Sequence, residues 1–279
     1  MLADTASVYK NEQVIGKVIG DLGAREELFV TSKVGPSEMG SVESVYAAAL
    51  ASLERLKIEC FDLYLIHWPG KQGVRADSPE NASIRLSAWR ALEMLLAQGK
   101  TRAIGVSNFT VEHLRHLLLH ATVAPSVNQV ELHPLCPQSS LRAFCAQHDI
   151  QVVAYSSLGQ SKGKQVLFQH PTIVDIAASS GRTPAQILLR YATQQGISVI
   201  PKGSSREHLL ENYTSLDFNL SAADLARLEG ISNGSEHHFC WCAFLLHRLV
   251  VLLAVLAIPL SFSQSRSLAF LSPLSSSKI

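Results

Sequence analysis

Short apolar or β-branched runs, each ending in polar residues, alternate along this chain with longer stretches of helical spacing, and that alternation limits the possible folds more than any other feature. The runs occupy 28–33 (LFVTSK), 61–69 (FDLYLIHWP), 103–108 (AIGVSN), 126–132 (SVNQVEL), 151–158 (QVVAYSSL) and 197–202 (ISVIPK). Helical spacing occupies 11–22, 41–57, 87–98, 110–119, 139–148 and 184–195. Within 41–57, Val42, Val45, Ala49, Leu53 and Leu56 recur every three or four positions, while Glu43, Glu54, Arg55 and Lys57 fall outside that stripe. A helix of this kind buries one stripe and wets the other. Strands so uniformly apolar need cover on both faces, which parallel strands joined by helical crossovers provide. A long series of such units favours a sheet that closes on itself over an open one.

A chain of 279 residues is long enough for one large α/β barrel with a substantial core, a simpler arrangement than two small domains. A formal net charge of +1, 17% charged residues and no basic run argue against nucleic acid as a partner, so a small-molecule substrate is expected. Cys60, Cys136, Cys145, Cys240 and Cys242 are odd in number and lack paired CxxC spacing. That usage points to a reduced, cytoplasmic setting with neither a disulfide framework nor a metal. Cys240 and Cys242 flank Trp241 in the manner of a chelating pair, but no second pair of ligands lies at a usable spacing. The opening MLADTASVYK carries no secretory leader pattern.

Four polar residues stand at or just past the ends of strand-like runs: Asp4 and Tyr9 in DTASVYKNE, Lys33 in LFVTSK and His67 in DLYLIHWP. A parallel α/β barrel gathers its chemistry at that end of its strands. A phenol, with a pKa of about 10, donates a proton poorly near neutrality unless its conjugate base is stabilised. A nearby ammonium does this, a carboxylate keeps the ammonium charged and placed, and an imidazole orients a carbonyl. Together the four residue types suit proton donation to a carbonyl oxygen while hydride reaches the carbon.

In this order and at these separations, DTASVYKNE, LFVTSK, DLYLIHWP, IGVSNF, NQVELHP, VVAYSSLG and VIPKGSSREHLLEN resemble the aldo-keto reductase family, in particular its shorter, glyoxal-reductase-like members. The resemblance runs from about residue 3 to Trp241. It implies a TIM-type (β/α)8 barrel that reduces aldehydes or ketones with NADPH, with NADH left open, and the chain is expected to act as a monomer. By resemblance Tyr9 is the general acid, Lys33 lowers its pKa, Asp4 pairs with Lys33, and His67 orients the carbonyl. Ser107, Asn108 and Gln129 match positions that hydrogen-bond the nicotinamide carboxamide, a group that needs both donors and acceptors. Tyr155 matches the aromatic residue that stacks on the nicotinamide ring, and Ser156, Ser157, Leu158 and Gly159 form a loop that wraps the diphosphate. Lys202, Ser204, Ser205 and Arg206 match the cradle of the adenosine 2′-phosphate in a helix-opening turn, and Glu211 and Asn212 match adenine contacts. His208 stands where many members carry Arg, and Gly203 where a Ser follows the Lys. Trp68 and Val8, beside His67, are expected as walls of the substrate pocket.

The chain also departs from the family pattern. Only Met1, Leu2 and Ala3 precede Asp4, where the family carries a first strand, a Gly-rich turn and a first helix. The barrel is therefore expected to be incomplete at its N-terminus, with the first strand and helix absent, a stub for the second strand, and Asp4 and Tyr9 on a weakly anchored segment. Residues 1–241 read as the barrel and 242–279 as an atypical apolar and Ser-rich tail. The Leu- and Ser-rich, patternless tail reads as a non-native end from an alternative transcript or retained non-coding sequence, with a membrane tether through 243–262 as the alternative, although its uninterrupted apolar run, 249–260, is shorter than the roughly 20 residues a spanning helix needs. Beside the reductase stand two further readings at this point: a catalytically inactive isoform that still binds NADPH, and a membrane-tethered product.

Overall fold

The computed structural model describes residues 2–239 apart from residue 161. Its strands are β1 (Leu2–Asp4), β2 (Phe29–Val34), β3 (Leu63–Ile66), β4 (Ile104–Ser107), β5 (Val127–Glu131), β6 (Gln151–Tyr155) and β7 (Ser198–Val199). They form one sheet in strict sequence order, and every neighbouring pair is parallel. The helices are α1 (Glu12–Leu22), α2 (Val42–Leu56), α3 (Glu80–Ala97), α4 (Val111–Leu118), α5 (Ser139–Gln147), α6 (Lys162–Phe168), α7 (Pro171–Ser180), α8 (Pro184–Thr193), α9 (Arg206–Tyr213) and α10 (Ala222–Glu229).

The sheet is curled, and one contact demonstrates it. Gln129 on β5 donates from Nε2 to Oδ2 of Asp4 on β1 at 2.8 Å. Four strand spacings would hold these residues about 19 Å apart in a flat sheet. The architecture is thus a (β/α)8-type barrel wall of seven strands, with β1 and β7 as the two ends of the series among the described residues.

Each expected strand run coincides with an observed strand to within a few residues at its ends, β2 reaching one residue beyond its run to Val34. The six expected helices are also present, and α2 buries Val45, Ala49, Leu53 and Leu56 as its spacing implies. Its start is secured by a capping box in which Ser44 N–H donates to Ser41 Oγ at 3.2 Å. Helix α3 begins seven residues earlier than 87–98, because the buried stripe Ile84, Ala88, Leu92 and Leu95 extends back to a polar residue, Asn81. Asn81 is buried and donates to the carbonyl of Arg75 at 2.8 Å, so hydrogen bonding rather than hydrophobicity holds the first turn.

The expectation of a weakly anchored front does not hold. The β1 strand is a three-residue stub, yet Asp4 is buried and Thr5 N–H continues the pairing to the Thr31 carbonyl at 2.9 Å. Thr5 Oγ1 donates to Asn11 Oδ1 at 2.6 Å, and Ser7 donates to Glu38, which also accepts from Gly35 N–H at 2.7 Å. The segment carrying Tyr9 is therefore tied to the end of β2 by side chains the periodicity does not register. Behind it, the buried Glu12 carboxylate accepts from Ser32 Oγ at 2.6 Å and from Arg55 Nε at 2.7 Å, fixing α1 and α2 to the outer face of β2. At the opposite end of the sheet, Asp62 accepts from Val30 N–H at 2.8 Å and pairs with Arg102 at 2.6 Å and Arg25 at 3.0 Å. Charge clamps one rim of the barrel and leaves the other for chemistry.

Among the described residues no helix is long and apolar enough to cross a membrane. The expected tail 242–279, including 243–262, lies outside the described residues, as do Cys240 and Trp241.

Candidate active site

The polar ends of successive strands converge on one rim. Asp4 ends β1, Lys33 is the penultimate residue of β2, His67 directly follows β3, Ser107 ends β4, and Tyr155 ends β6. Parallel pairing continues just past these ends: His67 N–H donates to the Val34 carbonyl at 3.1 Å and Asn108 N–H to the Gln129 carbonyl at 3.0 Å. The backbone that carries the site is thus held by the same ladder that holds the sheet.

At the centre lies a buried ion pair. Lys33 has no exposed surface and Asp4 only 5%, and Lys33 Nζ donates to Asp4 Oδ1 at 2.5 Å and to the Thr5 carbonyl at 2.9 Å. With Gln129 on its other oxygen, Asp4 is satisfied on both sides. Burial pulls the Lys33 ammonium down, but the charges of Asp4 and then Tyr9, with the Asp4 hydrogen bond, hold its pKa above the usual lysine value. Lys33 is therefore a fixed cation.

Tyr9 lies over that cation. Lys33 Nζ is 5.4 Å from the centroid of the Tyr9 ring, and Tyr9 Oη is 3.4 Å from His67 Nε2, with the two rings edge to face at 86°. Tyr9 is 38% exposed, so the residue borders solvent beside the buried pair. His67 is buried, and burial first, then the Lys33 charge, pushes its pKa from 6.5 down to about 3. It is a neutral imidazole across the physiological range, and its Nδ1 has no hydrogen-bond partner. Trp68 lies beside it, the two rings 6.4 Å apart and tilted by 33°, and Val8 is half-buried on the Tyr9 segment. A Cβ at Gly35 would come within 2.4 Å of Val8 Cγ1, so the glycine makes room for that side chain.

The residues expected at a nicotinamide ring are also together, but they bond to one another. Tyr155 OH donates to Asn108 Oδ1 at 2.7 Å, while Asn108 Nδ2 donates to the His67 carbonyl at 2.9 Å and to Ser107 Oγ at 3.1 Å. Ser107 Oγ donates in turn to the Gln129 carbonyl at 2.7 Å. Asn108 holds a left-handed φ of 63°, a conformation asparagine tolerates better than most residues. The Gln129 side chain, expected to meet a carboxamide, here braces Asp4. That second use is invisible along the chain, where the two residues stand 125 positions apart.

After β6, Ser156 turns left-handed at φ 51° and Gly159 N–H closes the turn on the Ser156 carbonyl at 2.7 Å, with Leu158 half-buried between them. The hydroxyls of Ser156 and Ser157 are buried without a hydrogen-bond partner. A buried donor without a partner is costly, and an oxygen-rich anion offers the acceptor each hydroxyl lacks. After β7, Lys202, Ser204, Ser205 and Arg206 are all exposed at the opening of α9, which Ser205 caps by accepting from His208 N–H at 3.2 Å. Glu211 is half-buried and Asn212 buried on the same helix. The residues of both segments fit a nucleotide: unpartnered hydroxyls in one, cations at a helix N-terminus in the other.

A wall of parallel strands whose rim carries tyrosine, lysine, aspartate and histidine defines a carbonyl-chemistry class of α/β barrel. The sequence profile of the Aldo/keto reductase family matches residues 2–233, and the chain belongs to that family. The glyoxal reductase of Bacillus subtilis (strain 168) is 43% identical over 230 residues, covering 82% of this chain and 78% of that protein. Among solved structures, MGS-M4, an aldo-keto reductase enzyme from a Medee basin deep-sea metagenome library, has a TM-score of 0.78 at 34% identity, covering 85% of this chain and 83% of the other. An aldo-keto reductase crystallised with NADPH has a TM-score of 0.74, also at 34% identity, over 84% of this chain and 74% of the other. Family membership makes the protein an oxidoreductase of carbonyl compounds.

Proposed function

We propose that the protein reduces aldehydes or ketones to alcohols with NADPH, Tyr9 acting as the general acid. The observation that carries this reading is the placement of the Tyr9 hydroxyl 3.4 Å from His67 Nε2 and above the buried Lys33–Asp4 pair. NADPH, when bound, supplies the hydride that adds to the carbonyl carbon. The rest is the work of this chain's own side chains. His67, neutral and fixed by burial, hydrogen-bonds the carbonyl oxygen through Nε2 and holds it beside Tyr9 Oη. Tyr9 gives its proton to that oxygen as charge develops there, a role worth about 100-fold or more in rate. The phenolate left behind faces the Lys33 ammonium, which Asp4 keeps charged, and it regains a proton from solvent through its exposed edge.

Ser156, Ser157, Leu158 and Gly159 would hold the diphosphate, supported by the unpartnered hydroxyls, and Lys202, Ser204, Ser205 and Arg206 the 2′-phosphate. Glu211 and Asn212 would meet the adenine, Ser107, Asn108 and Gln129 the carboxamide, and Tyr155 the nicotinamide face. Trp68 and Val8 would line the carbonyl side. One of the relatives is named for glyoxal reduction, so a small reactive aldehyde of that kind is the substrate class to assay first.

The test is aldehyde-dependent oxidation of NADPH by the wild type and by Tyr9→Phe, with cofactor binding followed separately by fluorescence titration. Tyr9→Phe is expected to lose about 100-fold or more in kcat while binding NADPH as the wild type does. Undiminished turnover in that variant overturns the assignment of Tyr9. NADPH binding without turnover in the wild type selects the inactive cofactor-binding reading instead.

A further inference from the structure

One cluster of chemically active side chains lies outside the constellation above. Glu131 ends β5 directly opposite Tyr155, and the turn that follows brings Cys136 back beside it through reciprocal backbone bonds between His133 and Cys136, at 2.8 and 3.3 Å. Residues 236–239 lie across this turn, held by His237 N–H to the Leu135 carbonyl at 2.8 Å and Phe239 N–H to Glu131 Oε1 at 2.9 Å. The Phe239 ring stacks on His133 with centroids 5.0 Å apart.

We propose that Cys136, Glu236 and His238 form a binding site for one divalent cation of the zinc class, with Glu131 orienting His238. The ligand atoms of the three residues all lie within 4.8 Å of one another. Cys136 Sγ is 3.4 Å from His238 Nδ1 and 3.7 Å from Nε2, and because Nε2 is also 3.7 Å from Glu236 Oε2, Nε2 is the nitrogen assigned to the ion. Around a tetrahedral zinc with bonds of about 2.0–2.3 Å, neighbouring donor atoms stand about 3.3–3.6 Å apart, so the two His238 separations need a few tenths of an ångström, and the Cys136–Glu236 separation, bounded at 4.8 Å, closes by rotation of the exposed Glu236 side chain. The other ring nitrogen, His238 Nδ1, is 3.4 Å from Glu131 Oε2. A ligating histidine whose second nitrogen donates to a carboxylate is the usual arrangement around zinc, because it fixes tautomer and ring orientation together. A thiolate, an imidazole and one carboxylate favour zinc over magnesium or calcium, which prefer all-oxygen shells. Cys136 is buried, whereas the His238 and Glu236 side chains are 30% and 42% exposed, which gives the ion an entry path and leaves its fourth position to water. No short-spacing motif marks this cluster along the chain, because Cys136 and His238 are 102 positions apart.

The test is a titration of the full chain, stripped with chelator, by Co2+ and then by Zn2+. One Co2+ per chain should bind with a thiolate-to-cobalt charge-transfer band, and Zn2+ should displace it. Cys136→Ser is expected to abolish the band, and His238→Gln, on the partly exposed segment, to weaken binding more than about tenfold. Glu131→Gln is expected to weaken it about 10- to 100-fold through the loss of orientation. A double variant, Cys240→Ser with Cys242→Ser, should leave the band in place. Absence of the band in the wild type overturns the site. So does a band that survives Cys136→Ser and disappears in the double variant, because the thiolate would then come from outside the cluster.

Discussion

His67 makes the protein's acid stability a direct readout of how deeply the active-site imidazole is buried. Its pKa in the folded protein is about 3, against 6.5 for an ordinary histidine. Above about pH 6.5 the ring is neutral in both folded and unfolded chains, and it imposes no pH dependence. Below that, the unfolded chain takes up a proton that the folded one refuses, so stability falls as pH drops toward about 3, where the loss is complete. The slope is about 1.4 kcal/mol per pH unit inside the window, and between pH 7 and pH 5 the sum is about 2 kcal/mol. Urea unfolding of the wild type and of His67→Gln at these two pH values isolates the effect. His113, which burial pushes down to about 4, titrates in the same direction but is common to both proteins and cancels in the difference. The wild type should lose about 2 kcal/mol more than the variant. Losses equal to within about 0.5 kcal/mol would refute the reasoning, because they would mean the ring reaches water in the folded state.

Two further substitutions probe the frame around the site. Asp4→Asn removes the charge that offsets the burial of Lys33, and breaking such a buried pair costs about 3–5 kcal/mol, so the urea midpoint at neutral pH should fall steeply and aldehyde reduction with it. An unchanged midpoint would show that the pair contributes nothing to holding β1. Gly105→Ala on β4 would set a Cβ 2.6 Å from the Val127 carbonyl oxygen and 2.9 Å from Leu65 Cδ2; the carbonyl belongs to the neighbouring strand and cannot retreat without opening the β4–β5 pairing. A loss of about 1–3 kcal/mol is expected in the same assay, and a neutral outcome would mean that the strands separate more easily than their register implies.

The strands, the order in which they follow one another and the polar residue at the end of each were legible in the chain, because every one is a local pattern within a handful of residues. The same holds for α2, whose apolar stripe and Ser41 cap are both written within one segment. The start of α3 was not legible, since its first turn is held by the hydrogen bonds of Asn81, which apolar spacing does not count. Nor was the firmness of the front segment, which depends on Asn11 and Glu38 reaching back to Thr5, Ser7 and Gly35.

What the chain alone determined is which residue types stand at which strand ends, and through the resemblance of those motifs, the family. What only the tertiary structure decided is which of those ends meet. The curl of the sheet carries Gln129 across to Asp4, the meeting of strand ends brings Tyr9 and His67 within 3.4 Å, and the chain after α10 returns residues 236–239 onto Glu131 and Cys136. Sequence periodicity reports the environment of each element separately, whereas these contacts depend on the summed twist of a whole parallel sheet, a quantity no single segment encodes.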